Sequence, residues 1–271
     1  MTPAPISPRA SVTYYVLAMP QLYAIPAAEA PVAVVIAHQG AWFHLARWDL
    51  ETGKLERGAW FKGRIYQRRC DISPDGSFLY YLAMKGGKTF SAISRVPWMT
   101  ALALWFEDTT YSRGWHFAPD GRADRIKTDQ GSLGPLADRY GLDLRATLNG
   151  AYDAERRRGW IVKSRRSKSD PWGEKPQWLI RDQPGGECRL ELRDDGYVRG
   201  RLEGRVPRYT LDGEPLEDVV WADWGARGRL IVTTRAGTAE IRSSRNKPKK
   251  VVSLADWEPD PRPPPGSARR W

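Results

Sequence analysis

The sequence predicts an all-β chain assembled from repeated antiparallel units, and three observations carry that expectation. Apolar runs rich in β-branched and aromatic residues, bounded by Gly, Pro, Asn and Asp, dominate its 271 residues. Sustained helical periodicity is nearly absent. The stretch Asp71-Ile72-Ser73-Pro74-Asp75-Gly76-Ser77-Phe78-Leu79-Tyr80-Tyr81 feeds a tight turn into an apolar strand. Its turn recurs as Pro119-Asp120-Gly121, 45 residues on, the length of one four-stranded repeat unit of about 40–45 residues.

In chain order, residues 1–10 hold Pro3, Pro5 and Pro8 and read as a loose lead-in. Tyr14–Met19 and Val32–Ala37 are proline-bounded apolar runs, hence strands. Ala41–Leu50 is a third, closing at Thr52-Gly53. Ile65–Ile72, Phe78–Met84 and Phe90–Val96 follow, separated by Pro74-Asp75-Gly76 and Lys85-Gly86-Gly87-Lys88. Met99–Phe106 is apolar almost throughout and reads as a buried strand. Residues 125–150 break the pattern: Leu136, Tyr140, Leu144 and Leu148 fall four apart, which predicts a short helix or an irregular insertion. Strands resume at Trp160–Val162 and Trp178–Ile180. Arg189–Leu192, Asp194-Asp195-Gly196 and Tyr197–Leu202 predict a hairpin, since the Gly supplies positive φ.

The last third carries partial repeats. Tyr209-Thr210-Leu211-Asp212-Gly213 echoes Trp48-Asp49-Leu50-Glu51-Thr52-Gly53, and Ala222-Asp223-Trp224 recurs as Ala255-Asp256-Trp257. Asp71 and Asp223 each stand five residues before a glycine, Gly76 and Gly228, and each turn precedes an apolar strand, Phe78–Leu82 and Leu230–Thr234. The tail 259–271 holds five prolines and should run extended. Trp257 and Trp271 favour its packing along the domain.

Asp71 to Ala83 resembles the Ser-Pro-Asp-Gly repeat of the TolB-like (PD40) β-propellers, and Arg47 to Leu55 is similar to the last strand of a WD40-type blade. The match covers Arg47 to Met84, with a looser one at Tyr209 to Arg242; no Gly-His dipeptide precedes the Trp-Asp, and the period is irregular. The resemblance implies a β-propeller-like fold that presents loops and a central channel to protein partners, without catalytic residues. Chain length allows at most roughly six blades, and the insertion and tail reduce the expectation to about five over residues 11–258.

Catalytic motifs are missing from the sequence. There is no Gly-x-Ser-x-Gly elbow. Lys85-Gly86-Gly87-Lys88-Thr89 lacks the first glycine of a phosphate loop, because Leu82 stands there. Cys70 and Cys188 have no metal-ligand spacing and read as thiols in a reducing compartment. His38 and His44 are six apart, which on one β segment places them on one face, but no cysteine or carboxylate completes a metal set. Glu187, Glu191, Asp194 and Asp195 read as solvated hairpin charges. No cofactor and no metal is expected. The longest apolar run near the N-terminus is six residues, too short for a signal or a membrane span, so a cytoplasmic chain is expected.

Charge is the feature above background. The net charge is +11, which attracts nucleic acid, an acidic protein face or an anionic membrane. Residues 156–181 hold nine basic side chains, among them Arg156, Arg157, Arg158, Arg165, Arg166 and Lys168, against Asp170 and Glu174, with Trp160, Trp172 and Trp178 interleaved. A second cluster is Arg242, Arg245, Lys247, Lys249 and Lys250, with no acid inside it. Such clusters serve as solvated loops, as faces for an acidic protein, or as phosphate contacts with stacking rings. The leading expectation is a non-enzymatic interaction or scaffold subunit of a cytoplasmic, bacterial multiprotein assembly, monomeric alone, with protein partners and no membrane. The alternatives are a nucleic-acid-binding subunit that uses 156–181 and 242–250, and an enzyme with an unrecognised site in the propeller channel.

Overall fold

The computed structural model describes residues 19–110, 114–118, 126–144, 152–163, 176–195, 207–243 and 245–271. It is mostly β, 51% strand and 9% helix, arranged as several antiparallel sheets.

The first sheet is β1 (Gln21–Pro26), β2 (Val32–Gln39), β3 (Trp42–Asp49) and β4 (Leu55–Lys62), in that order. The apolar run of β2 is buried along both faces, because neighbouring elements cover each side. Two residues join β2 to β3, and Gly40, at φ 59°, supplies the left-handed conformation such a loop requires. At the next turn the Asp49 carboxylate accepts the Glu51 and Thr52 N–H groups at 2.9 and 2.8 Å. Those bonds, led by Thr52, hold its carboxyl below the usual range.

The expected strand Ile65–Ile72 is broken in two. β5 (Arg64–Ile65) and β6 (Asp71–Ile72) flank a 3-10 turn at Gln67–Arg69, and both pair with β7 (Phe78–Lys85). Next come β8 (Lys88–Arg95) and β9 (Ala101–Glu107). β9 is not buried throughout as its composition implied: Phe106 is half exposed, so one side faces solvent. β10 (Trp115–Ala118) leads on, and β11 (Gln130–Gly131) adds to the free edge of β9.

The helical expectation near 125–150 reduces to one turn, α1 (Gly134–Ala137), before β12 (Gly141–Leu144) pairs with β10. A second short helix, α2 (Asp153–Arg157), precedes a sheet of β13 (Ile161–Val162), β14 (Gln177–Asp182), β15 (Arg189–Asp194), β16 (Arg208–Leu211) and β17 (Glu214–Pro215). β15 spends both edges on β14 and β16. Its second partner is Arg208–Leu211, and the hairpin expected at Asp194-Asp195-Gly196 falls on residues outside the described ones from 196 on. The last sheet is β18 (Val219–Trp224), β19 (Leu230–Thr234), β20 (Thr238–Arg242) and β21 (Pro248–Ser253). Tyr14–Ala18, Pro119-Asp120-Gly121, Leu148 and Tyr197–Leu202 lie outside the described residues.

Strands of different sheets meet. β1 touches β6, β6 touches β10, and β1 also packs against β18, β19 and β20 of the last sheet. The tail packs too: Trp271 lies 5.5 Å from Phe78, and Arg95 Nε–H donates to the Arg270 carbonyl at 3.0 Å.

The Ser-Pro-Asp-Gly turn closes on itself. Ser73 is fully buried, and its hydroxyl oxygen accepts the Ser77 and Phe78 N–H groups at 3.1 and 2.9 Å while donating to Asp75 at 2.6 Å. Burial raises the Asp75 carboxyl, and the bonds from Ser73 and Ser77 outweigh it, leaving it below its ordinary value. Gly76 sits at φ 74° with Val32 3.1 Å from where a Cβ would stand. Ser73→Ala takes the acceptor from the Phe78 N–H, while Ser77 N–H keeps the Asp75 carboxylate at 2.9 Å, and should lower stability by about 1–3 kcal/mol in urea unfolding at unchanged slope. A loss below about 0.5 kcal/mol, the scale of ordinary surface substitutions, would show that the turn does not depend on this hydroxyl.

The histidines separate. His38 pairs with Phe43 and Ala37 with His44, and side chains on adjacent rungs alternate, so His38 and His44 occupy opposite faces of the sheet. His38 stacks on Phe43. His44 is buried, stacked flat on Trp60 at 4.1 Å, with Trp257 at 4.2 Å and Arg57 over the Trp257 ring at 4.6 Å. Burial pushes the His44 imidazole down to about 4. Its stabilising contribution is complete above the unfolded value near 6.5 and declines as pH falls towards 4. The lost stability amounts to about 3 kcal/mol over that window. His44→Phe should flatten the pH 4–6.5 limb of a stability–pH profile, and an unchanged limb would assign it to other groups.

Candidate functional site

The predicted basic residues divide. Arg165, Arg166, Lys168 and Trp172 lie outside the described residues. Arg245, Lys247 and Lys249 are exposed around the β20–β21 turn, and the Lys250 stem lies against Gly53 of the first sheet. Arg242, counted with them, is interior: Asp218 holds it at 2.5 Å and Glu240 at 2.8 Å. The acids come from outside the basic run, so its sequence shows a charge that the fold neutralises.

Arg156, Arg157 and Arg158 sit on or just past α2. Arg156 is exposed and lies 3.8 Å from Asp153. Arg157 is exposed, and its Nη1 donates to His116 Nε2 at 2.5 Å. Arg158 turns inward. Its Nε donates to Asp223 Oδ2 at 2.6 Å, and its Nη2 lies 3.7 Å from Glu155. Trp160, which reads as an aromatic between cations, is core: it is buried, and its Nε1–H donates to Asp223 Oδ1 at 2.8 Å. Trp178 is the partly exposed ring, lying under Arg193 and bonded to Glu191.

Asp223 is fully buried near the end of β18 and gathers three chain segments. Besides Arg158 and Trp160 it accepts Nη1–H of Arg181, from β14, which also donates to the Trp224 carbonyl at 3.0 Å. Beside it, Glu155 is held by Arg68 at 2.6 Å and by the Tyr23 hydroxyl at 3.4 Å. The Arg68 guanidinium lies over the Tyr23 and Tyr152 rings, and Tyr152 OH donates to Asp194 at 2.8 Å. Burial pushes the Tyr23, Tyr152 and Tyr209 phenols well up, so all three stay protonated at neutral pH. Burial also works against the Arg68 charge, and Glu155 together with Tyr152, Tyr23 and Tyr209 more than offsets it. The result is an interior in which guanidinium, carboxylate and phenol are cross-bonded between β1, the Gln67–Arg69 turn, α2, β14 and β18.

A cleft of about 680 Å³ opens above this interior. Pro26, Ile72, Ala118 and Trp224, each at the end of its strand, contribute to its lining. Arg157, Arg158, Arg181 and Arg227 supply its cations, and Asp71 is the carboxylate among the lining residues. Asp71 Oδ2 accepts the Phe117 N–H at 2.9 Å. No family model and no curated protein sequence matches this chain.

Two of the three central features had a trace in the sequence. The shared spacing of Asp71 and Asp223 before left-handed glycines, Gly76 at φ 74° and Gly228 at φ 66°, marks both carboxylates, although it reads there as a repeat and not as a site. Arg157 and Arg158 appear as members of the basic run. Arg68 and Glu155 carry no signal, because their pairing spans 87 residues. Among the described residues no group of three His, Cys, Asp or Glu side chains could hold a metal ion, and Cys70 and Cys188 are free thiols. No described helix is long and apolar enough to cross a membrane.

Asp223→Ala leaves two guanidiniums and an indole N–H facing each other across a void. The variant should lose about 3–5 kcal/mol in urea unfolding, the cost of breaking a buried ion pair from one side. A loss under about 1 kcal/mol, within the range of exposed pairs, would make the network incidental to the fold.

Proposed function

We propose that this chain is a non-catalytic, β-propeller-type interaction module of about five blades, a scaffold subunit whose protein partner docks over the cleft. Support for the propeller reading comes from sequence order and contact. Five antiparallel sheets, β1–β4, β5–β9 with β11, β10 with β12, β13–β17, and β18–β21, come nearly in chain order, with β11 crossing back to β9. One strand from each of four of them, β18, β1, β6 and β10, touches the next in turn. The resemblance of Asp71–Ala83 to the TolB-like repeat agrees with this layout.

The observation that carries the binding role is the cleft itself, a concave, arginine-lined surface on a floor of cross-bonded side chains. Such a floor holds its wall groups in place before any ligand arrives, so little conformational entropy is lost on binding. Arginine is also favoured where protein surfaces meet. The chemistry of the cleft selects for an acidic partner.

The second reading, nucleic-acid binding, draws on the exposed Arg245, Lys247 and Lys249. Rings beside cations include Trp178 under Arg193 at 5.0 Å and, on β3, β4 and β9, Trp42 under Lys62, Phe61 under Lys85 and Phe106 under Lys88, these three between 5.5 and 5.7 Å. Those ring faces already carry a cation, which leaves less face for a base.

Affinity capture with nuclease treatment, followed by mass spectrometry, separates the two readings. The tagged wild type should retain a defined protein that Arg157→Glu loses and that Lys247→Glu/Lys249→Glu keeps. The purified chain alone should be a monomer by light scattering. Retention that disappears with nuclease, or with the Lys247/Lys249 pair only, would transfer the function to nucleic acid. Turnover of a substrate abolished by one point change would refute a non-catalytic role.

A further inference from the structure

We infer that the cleft takes an oxyanion, carboxylate or phosphate, carried on an apolar body. The inference rests on the binding role proposed above and names the ligand of that site. Its lining combines two chemistries. The cations include Arg157, exposed, and the guanidiniums of Arg158 and Arg181, whose side chains are 13% and 15% exposed. The apolar residues include Pro26, Ile72, Phe117, Ala118 and Trp224.

The basic part of the lining is built and held. One carboxylate, Asp223, serves two guanidiniums: its Oδ2 takes Arg158 Nε and its Oδ1 takes Arg181 Nη1. Arg158 also faces Glu155, which Arg68 holds, so three guanidiniums share two carboxylates at the edge of a partly desolvated cavity. A guanidinium carries five donors in a rigid planar fork, so bonds on one side of each fork fix the direction of the rest. Charge-assisted hydrogen bonds from such forks to an oxyanion are the strong kind. Asp71, the carboxylate among the lining residues, is tied to the Phe117 N–H.

The volume argues against a bare ion as the natural occupant. About 680 Å³ lies within the roughly 300–1,000 Å³ of small-ligand sites and is far more than an ion fills. An aryl or branched aliphatic body suits the apolar part of the lining, while the oxyanion meets the arginines. An acidic residue beside an apolar one in a partner's docking segment has this chemistry, and so does a phosphorylated side chain.

Calorimetric titration of the full chain tests the inference with defined probes. These are 3-phenylpropionate and phenyl phosphate, set against 3-phenylpropionamide, acetate and inorganic phosphate. The two aryl anions should bind with millimolar or better Kd, and each control should be weaker by about tenfold or more. The tighter of the two aryl anions identifies the headgroup as carboxylate or phosphate. Ala28→Glu places a carboxylate on an exposed residue of the cleft lining and should weaken both aryl anions by about tenfold with an unchanged melting temperature. Arg157→Gln should weaken them by a smaller factor. Amide binding as tight as that of the acid, or aryl-anion binding indifferent to Ala28→Glu, would overturn the inference. If neither aryl anion binds while partner capture still depends on Arg157, the ligand chemistry falls and the binding role stands. If both bind and capture ignores Arg157, the role falls and the ligand chemistry stands.

Discussion

The Asp223 carboxylate is the constraint on which the interior depends. It is fully buried, and it accepts from Arg158, Arg181, Trp160 and the Trp224 backbone. Its partners lie 42 to 65 residues away in the chain, apart from its own neighbour. Bringing those groups out of water costs several kcal/mol per ion, and their mutual attraction does little more than repay that cost. The network therefore adds little net stability against an apolar core of equal volume. What it supplies is uniqueness of arrangement. Only one packing of β14, β18 and the α2–β13 segment satisfies every member, whereas an apolar patch tolerates sliding. The same bonds orient the arginines that line the cleft, so the fold and the candidate site share one anchor.

Local turn chemistry was legible in the sequence, because each turn satisfies its own polar groups. Ser73, Asp75 and Gly76 form a closed hydrogen-bond set within five residues, and Asp49 does the same for Thr52. The all-β character and most strand positions followed from these turns and from the apolar runs between them. Long-range pairing was not legible. The Ile65–Ile72 run has strand composition, yet the chain turns at Gln67–Arg69, and that turn delivers Arg68 to Glu155. Arg189–Leu192 followed by an Asp-Gly has hairpin composition, and its second strand partner is Arg208–Leu211.

Charge was the hardest property to read, because sequence shows it without showing its partner. Arg158, Arg181 and Arg242 look like members of surface runs, and the fold places each of them against buried or part-buried carboxylates. Trp160 looks like a stacking ring between cations, and it is an indole N–H donor in the core. Part of the net +11 is thus interior and already paired. Other cations, such as Arg245, Lys247 and Lys249, lie on exposed residues. A long-range electrostatic argument from net charge overstates the field at the surface to that extent.

The filled interior also limits where any ligand of this chain can sit. Glu155, Arg68, Arg158 and Asp223 meet between Tyr23, Tyr152 and Trp160, with their charged atoms cross-bonded. A ligand reaching that level would have to break ion pairs whose partners would then be left buried and uncompensated, a cost of several kcal/mol for each. The cleft above avoids this cost, because its arginines present the far side of forks already bonded behind. Recognition at the cleft leaves the network intact, whereas a ligand entering the interior would dismantle it. The lining that includes Arg157, Arg181, Ile72 and Phe117 is thus a place where a ligand meets charge without that cost.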